Sequence, residues 1–100
     1  IYKSNSVLNG FTLHDAFPNP FNPVISFSYE IHIAQMVEIQ IHDIIGRPIK
    51  NLVGELQLPG YKVVEWDGTD DQGIALPSGA YFFTIKSSGL FDSRKIVMLK

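Results

Sequence analysis

The chain has 100 residues, 45% of them hydrophobic and 18% charged, which suffices for one domain with one core. Its formal net charge is −2 and its eight basic residues are scattered, whereas a nucleic-acid-binding domain needs a concentrated basic stripe. The absence of cysteine excludes disulfides and thiol chemistry, and no apolar run approaches the roughly 20 residues of a transmembrane segment.

Residues 1–10 are polar, contain Ser, Asn and Gly, and show no sustained period. They indicate the end of a linker, and residues 11–100 are predicted to form one domain. The chain opens at Ile1 without a methionine, so we expect it to be part of a longer protein.

Turn signals follow at short intervals. Pro18, Pro20 and Pro23 fall within six residues, and proline is excluded from helix interiors and from central strands. Further Gly-, Pro-, Asp- and Ser-rich signals recur about every 8 to 12 residues, a spacing typical of a β-sandwich or barrel.

Between these signals, apolar and polar residues alternate. The clearest segments are residues 24–31, 36–43 and 81–87, in which every second side chain is apolar. Period two places one apolar set on one face of a pleated strand. Weaker strands are predicted at residues 11–17, 49–53, 61–66 and 91–99. The pattern therefore predicts an all-β, immunoglobulin-like antiparallel β-sandwich of about seven strands.

The aromatic residues allow two interpretations. Exposed rings would form a platform for a carbohydrate ligand, but alternation places Phe27, Tyr29, Tyr81 and Phe83 on apolar faces, which favours a core role. Trp66 is the only tryptophan and ends a predicted strand, so we expect it to anchor the core.

An acidic loop offers a weak calcium candidate. Asp67, Asp70 and Asp71 follow Trp66, and Asp67, Thr69 and Asp71 match the first, third and fifth positions of a calcium loop. The match fails further on, because a glycine stands one position late and Ser78 replaces the final glutamate. Since Asp and Gly are also ordinary turn residues, the turn interpretation is favoured.

No arrangement of residues predicts catalysis. His14, His32 and His42 are too widely spaced for the usual metal-ligand pairs. His42 and Asp43 are adjacent on a predicted strand and therefore point to opposite faces. The chain has neither a G-x-S-x-G elbow nor a glycine-rich phosphate loop. We predict no catalytic residues, no cofactor and no enzyme activity.

The order of the motifs resembles a known family. The run Pro18-Asn19-Pro20-Phe21-Asn22-Pro23 resembles the opening of type IX secretion C-terminal sorting domains of the A type. Trp66-Asp67-Gly68, an S-G-x-Y segment around Gly79 and Tyr81, and a basic, aliphatic, Lys-terminated end follow in the family's order. The Trp-Asp-Gly and S-G-x-Y pattern is also similar to the immunoglobulin-like domain of the flagellar hook-capping protein.

The resemblance implies a module at the C-terminus of a larger exported protein of the Bacteroidetes and related lineages. Such a protein passes through the periplasm and is secreted or held at the outer-membrane cell surface. The implied partners are the outer-membrane type IX translocon, a sortase-like peptidase that attaches the protein to a surface lipopolysaccharide, and an N-terminal cargo domain of the same chain.

The resemblance also implies a sorting signal, presented by the tail from Lys95 onward. Its residues are Gly79, Tyr81, Lys95, Met98, Leu99 and Lys100. The three prolines are expected to fix an extended segment, and an outermost C-terminal strand would allow a partner to add a strand. Purely structural roles for these residues remain open, as do two other functions, a passive spacer or adhesion domain and a carbohydrate-binding accessory domain of a secreted enzyme.

Overall fold

The computed structural model describes residues 10–100, which form two antiparallel β-sheets packed face to face. Seven strands make up this part of the chain: β1 (Phe11–Leu13), β2 (Ile25–Ile31), β3 (Gln35–His42), β4 (Pro48–Gln57), β5 (Gly60–Trp66), β6 (Gly79–Ser87) and β7 (Leu90–Met98). The strand order is β1-β2-β5 in one sheet and β4-β3-β6-β7 in the other. The predicted all-β immunoglobulin-like sandwich is confirmed. Within residues 10–100, no helix is long and apolar enough to cross a membrane.

The core lies between the sheets and is filled by the alternating residues. In β2, Ile25, Phe27, Tyr29 and Ile31 are all buried, while the residues between them are half-buried on the outer face. The Phe27 ring stacks on Phe83 of the other sheet, with ring centroids 3.9 Å apart. The prediction that the alternating aromatics belong to the core is confirmed, because each of the four is buried.

Strand boundaries differ from the predicted ones where the pattern is weak. β1 ends at Leu13, and Phe17 returns to pair with Ser26 of β2 through a single bridge. β4 continues to Gln57, four residues beyond its predicted end, because β3 supplies pairing partners along its whole length. Burial does not alternate regularly along β4, and two register shifts interrupt its pairing with β3. The sequence of β4 therefore carries little periodic signal.

The proline-rich segment is not extended as predicted. The chain bends at residues 18–20 and again at 22–23, and the peptide bonds before Pro18, Pro20 and Pro23 are cis. Phe21, between the bends, is buried and bonds to the main chain of β7, so tertiary contacts set the path of this segment. The expectation of an extended segment is therefore wrong.

The predicted linker, residues 1–10, lies outside the described residues except for Gly10. The Gly10 carbonyl accepts hydrogen bonds from the His32 N–H at 2.7 Å and from Gln35 Nε2 at 2.8 Å. Gly10 is buried and has a left-handed φ of +83°, and a Cβ added there would lie 2.5 Å from Gln35 Nε2, so a larger residue would have to displace the Gln35 side chain. Gly10 is thus held by the domain.

Candidate functional site

The C-terminal strand lies at the edge of the four-stranded sheet. β7 pairs on one side with β6, in a register that places Gly79 opposite Met98 and Phe82 opposite Lys95. The tail then leaves the sheet, and the Lys100 N–H donates to Ser78 Oγ at 3.0 Å. The outer side of β7 is consequently the place where a partner would reach the C-terminal strand.

That outer side is already occupied by the proline-rich segment. Asn19 Nδ2 donates to the Lys95 carbonyl at 3.2 Å, and Asn19 Oδ1 accepts from the Val97 N–H at 3.0 Å. The Phe21 N–H donates to the Val97 carbonyl, and the Leu99 N–H donates to the Phe21 carbonyl, both at 2.9 Å. We call this set of contacts, between residues 19–21 and residues 95–99, the β7 edge site.

Beneath the edge site, three aromatic rings join the two sheets. Phe21 lies 5.7 Å from Trp66 between ring centroids, and Trp66 lies 5.4 Å from Tyr81 in an edge-on arrangement. Both distances fall within the range of favourable aromatic pairs. Trp66 has no exposed surface, which confirms its role as a core anchor. Tyr81 Oη donates to the Pro77 carbonyl at 2.6 Å, and burial, with a smaller contribution from the Asp43 charge, raises the pKa of Tyr81.

The Trp-Asp-Gly turn is shaped to fit β7. Trp66 Nε1 donates to the Thr69 carbonyl at 2.8 Å, which satisfies the one polar atom of the ring. Gly68 has φ +81°, and an added Cβ would lie 3.0 Å from Met98 Sδ. The turn therefore uses glycine both for its conformation and for the close approach of Met98.

The implied sorting residues fall into two groups. Tyr81 and Met98 are buried, and Gly79 is half-buried within β6, so these residues serve the fold. Lys95, Leu99 and Lys100 are exposed. The expectation that the whole tail from Lys95 is presented needs correction, because β7 alternates and Met98 faces the core. The edge contacts of Asn19 and Phe21 were missed, since Asn19 bonds to a residue 78 positions away and no local pattern encodes such a contact.

The acidic loop uses its carboxylates as turn acceptors. Asp67 Oδ1 accepts from the Thr69 N–H and hydroxyl, and the hydroxyl bond is the main reason why the pKa of Asp67 is lowered. Asp70 Oδ1 accepts from two main-chain N–H groups of its own turn. Asp71 instead bonds to Asn51 of β4. The three carboxylates of the calcium candidate thus hold separate partners, and no three His, Cys, Asp or Glu side chains of residues 10–100 are grouped as a metal site requires.

The other candidate groups are also dispersed. His42 Nδ1 lies 3.4 Å from Thr84 Oγ1, whereas Asp43 bonds to the Arg47 side chain at 2.8 Å, so the adjacent pair forms no dyad. Of the exposed rings, Phe17 and Tyr61 both lie at the three-stranded sheet, but Phe17 is bridged to Ser26 near one end of β2 and Tyr61 is paired with Glu30 near the other. Phe91 lines a groove of about 610 Å³ on the four-stranded sheet, so the three rings do not share one platform.

Two packed antiparallel sheets with this strand order define an immunoglobulin-like domain. Residues 26–89 match the FlgD Ig-like domain family, so the chain belongs to that family. No curated protein matches the chain in sequence.

Solved structures share the fold at low identity. Dimeric latent PorU from Porphyromonas gingivalis is similar over 89% of this chain and 9% of its own, with 19% identity and a TM-score of 0.67. PorZ from the same organism is similar over 95% of this chain and 12% of its own, with 18% identity and a TM-score of 0.64. FlgD from Xanthomonas campestris is similar over 93% of this chain and 70% of its own, with 21% identity and a TM-score of 0.60. The chain therefore spans about a tenth of the length of PorU and PorZ, and these likenesses concern the fold.

Proposed function

We propose that the chain is a non-catalytic C-terminal sorting domain of the A type, which directs secretion and cell-surface anchoring of a larger exported protein through the type IX pathway. Its partners in this proposal are the outer-membrane translocon, a sortase-like peptidase and a cargo domain of the same chain. The proposed location is outside the cell or at its surface, reached through the periplasm.

One observation carries the proposal: the C-terminal strand is an edge strand that ends in an exposed tail. Lys95, Leu99 and Lys100 are exposed, while Ile96 and Met98 between them fix the strand in the core. A receptor can therefore contact the tail of the folded domain.

Two further points support the proposal. PorZ is described as an essential bacterial surface component of the type-IX secretion system, and it contains a region with this fold. The carboxylates of Asp43, Asp67 and Asp70 accept hydrogen bonds from their own turns, which supports a structural rather than a catalytic use of these groups.

The test is secretion of a fluorescent reporter that carries the chain at its C-terminus, in a host with type IX secretion. The decisive variant replaces the three exposed tail residues, Lys95, Leu99 and Lys100, with alanine. Truncation at Arg94 is a poorer choice because it removes the buried residues Ile96 and Met98. The control variant replaces Lys62, Lys86 and Leu58, the same residue types on other strands or loops.

We expect the unmodified and control fusions to reach the surface or the medium, and the tail variant to stay in the periplasm although folded. Secretion of the tail variant at the control level would refute the proposal. A second candidate is a passive spacer of the hook-capping type, which the FlgD Ig-like family match favours. That function predicts that the unmodified fusion itself stays in the periplasm.

A further inference from the structure

An edge strand usually exposes unpaired main-chain N–H and C=O groups. On the outer side of β7, however, other residues of the same chain form hydrogen bonds to most of these groups. In the first half, the Ser93 N–H donates to Asp92 Oδ1 at 2.8 Å, and the Ser93 carbonyl accepts from Arg94 Nη1 at 3.1 Å. In the second half, residues 19–21 cover Lys95, Val97 and Leu99. Covering an edge in this way prevents strand addition by other chains.

The proline-rich motif is chemically suited to close an edge. Pro18 and Pro20 carry no N–H group, so the main chain on either side of Asn19 cannot donate to β7. The Asn19 side chain takes that role, since its amide donates through Nδ2 to the Lys95 carbonyl and accepts through Oδ1 from the Val97 N–H. The prolines also leave the outer side of the segment short of donors, so that the segment does not itself offer a new edge.

The base of the loop is paired independently of the edge contact. Phe17 and Ser26 exchange two main-chain hydrogen bonds, each 2.9 Å long, which close the base of the loop between them. Asn19 is exposed and bonds to β7 through its side chain alone, so its release creates no cavity. Phe21 contributes a buried ring and two main-chain bonds. Opening therefore costs the four edge bonds and empties the core space beside Trp66 that the Phe21 ring fills, so the open form needs another ring in that space, while the loop base stays paired.

We propose that residues 19–21 are a displaceable plug, and that the β7 edge site they fill is an acceptor for an extended segment of a partner protein with an aromatic side chain. The present occupant shows the chemistry that the site takes: a donor and acceptor pair at Lys95 and Val97, main-chain bonds at Val97 and Leu99, and a ring beside Trp66. The acceptor site deepens the proposed sorting function, and the biological role of its partner rests on that function. The closed plug hides the main chain of the tail, and the open form makes this main chain available.

The first test is hydrogen exchange of the Val97 and Leu99 amides in the full chain. Asn19→Ala removes both side-chain bonds and should speed exchange of the Val97 amide about tenfold. Asn22→Ala changes the same residue type in the same loop at an exposed position and serves as the control. Exchange of the Phe83 and Ile85 amides in the sheet interior should stay unchanged in both variants, which separates local opening from loss of the fold.

The second test adds a synthetic peptide with the sequence of residues 17–23 to the Asn19→Ala variant. We expect the peptide to restore slow exchange at Val97, and a peptide with alanine in place of its central phenylalanine to fail. The unmodified domain, whose plug is closed, should respond less to either peptide.

Equal exchange in Asn19→Ala and Asn22→Ala would overturn the plug. Faster exchange in Asn19→Ala that the peptide does not reverse would overturn the acceptor site. Protection that returns without peptide as protein concentration rises would place a second copy on the edge and overturn the assignment to a partner protein. Secretion is not measured in these tests, so their failure leaves the sorting proposal standing, and failure of the sorting proposal leaves them valid.

Discussion

Gly68→Ala is the sharpest test of how the Trp-Asp-Gly turn supports β7. Gly68 has φ +81°, and alanine in the left-handed region costs about 1–2 kcal/mol. Alanine also lowers the conformational entropy of the unfolded chain, which offsets about 0.4–1 kcal/mol of this cost. The conformational part of the loss is therefore about 1 kcal/mol.

The contact with β7 adds a steric part. The new Cβ would lie 3.0 Å from Met98 Sδ, closer than ordinary van der Waals contact, and 3.5 Å from the Pro23 carbonyl oxygen, so the sulfur has to shift by a few tenths of an ångström. Overpacking of a close-packed site costs about 1–3 kcal/mol, and the flexible methionine end favours the lower value. We expect Gly68→Ala to lower the free energy of unfolding by about 2 kcal/mol in total.

Gly73→Ala is a matched control. Gly73 has φ +83°, but an added Cβ would meet no atom within 4 Å, so only the conformational cost of about 1 kcal/mol applies. The assay is urea unfolding followed by the fluorescence of Trp66, which is the only tryptophan and is fully buried. Equal losses in the two variants would refute the steric argument. So would a Gly68→Ala cost that stays the same in a Met98→Ala background, where the sulfur is absent.

Two smaller predictions concern single side chains. Tyr81→Phe removes the 2.6 Å bond to the Pro77 carbonyl and should lower the free energy of unfolding by about 1 kcal/mol in the same assay; no measurable loss would mean that the hydroxyl contributes nothing there. The pKa of Asp43 is lowered from the ordinary 3.8, chiefly by the hydrogen bond from the Arg47 N–H. The ionised carboxylate therefore stabilises the fold above pH 3.8, and this contribution is lost as the pH falls through the folded-state pKa. The stability difference between the unmodified chain and Asp43→Asn should therefore shrink in urea titrations below pH 3.8, and a difference that grows in acid would contradict the assigned direction.

The fold was predictable because its strongest signal is local. Alternation in β2, β3 and β6 specifies which side chains face the other sheet, and burial in these strands follows it residue by residue. β4 was predicted four residues too short because residues 54–57 pair with β3 in regular register but show no alternation of burial.

The candidate site was predictable only in part. Its location at the last strand follows from motif order, but which tail residues are exposed depends on the pairing of β7 with β6. The covering of β7 by Asn19 and Phe21 could not be inferred, because proline restricts its own φ and does not determine where a loop docks. The acidic loop differs, because its sequence gives a signal that has two interpretations. Aspartates suited to a metal ion are also ordinary turn residues, and their spacing alone does not distinguish the two uses.

The motif residues lie far apart in the sequence and meet at one place, the C-terminal half of β7. Asn19 and Phe21 bond to its outer edge, and Gly79 pairs with Met98 on its inner edge. Gly68 leaves the room that Met98 fills, and Phe21 and Tyr81 both pack against Trp66.

The motif residues that meet at β7 therefore share one physical role. Each of them either holds the last strand in place or limits access to it. This shared role also means that a secretion defect caused by replacing Trp66, Gly68 or Tyr81 would not distinguish a lost signal from a lost strand. Only residues that are exposed and make no core contact, such as Lys95, Leu99 and Lys100, can separate the two. If the sorting proposal is correct, replacing these three should abolish export while the urea midpoint stays that of the unmodified domain.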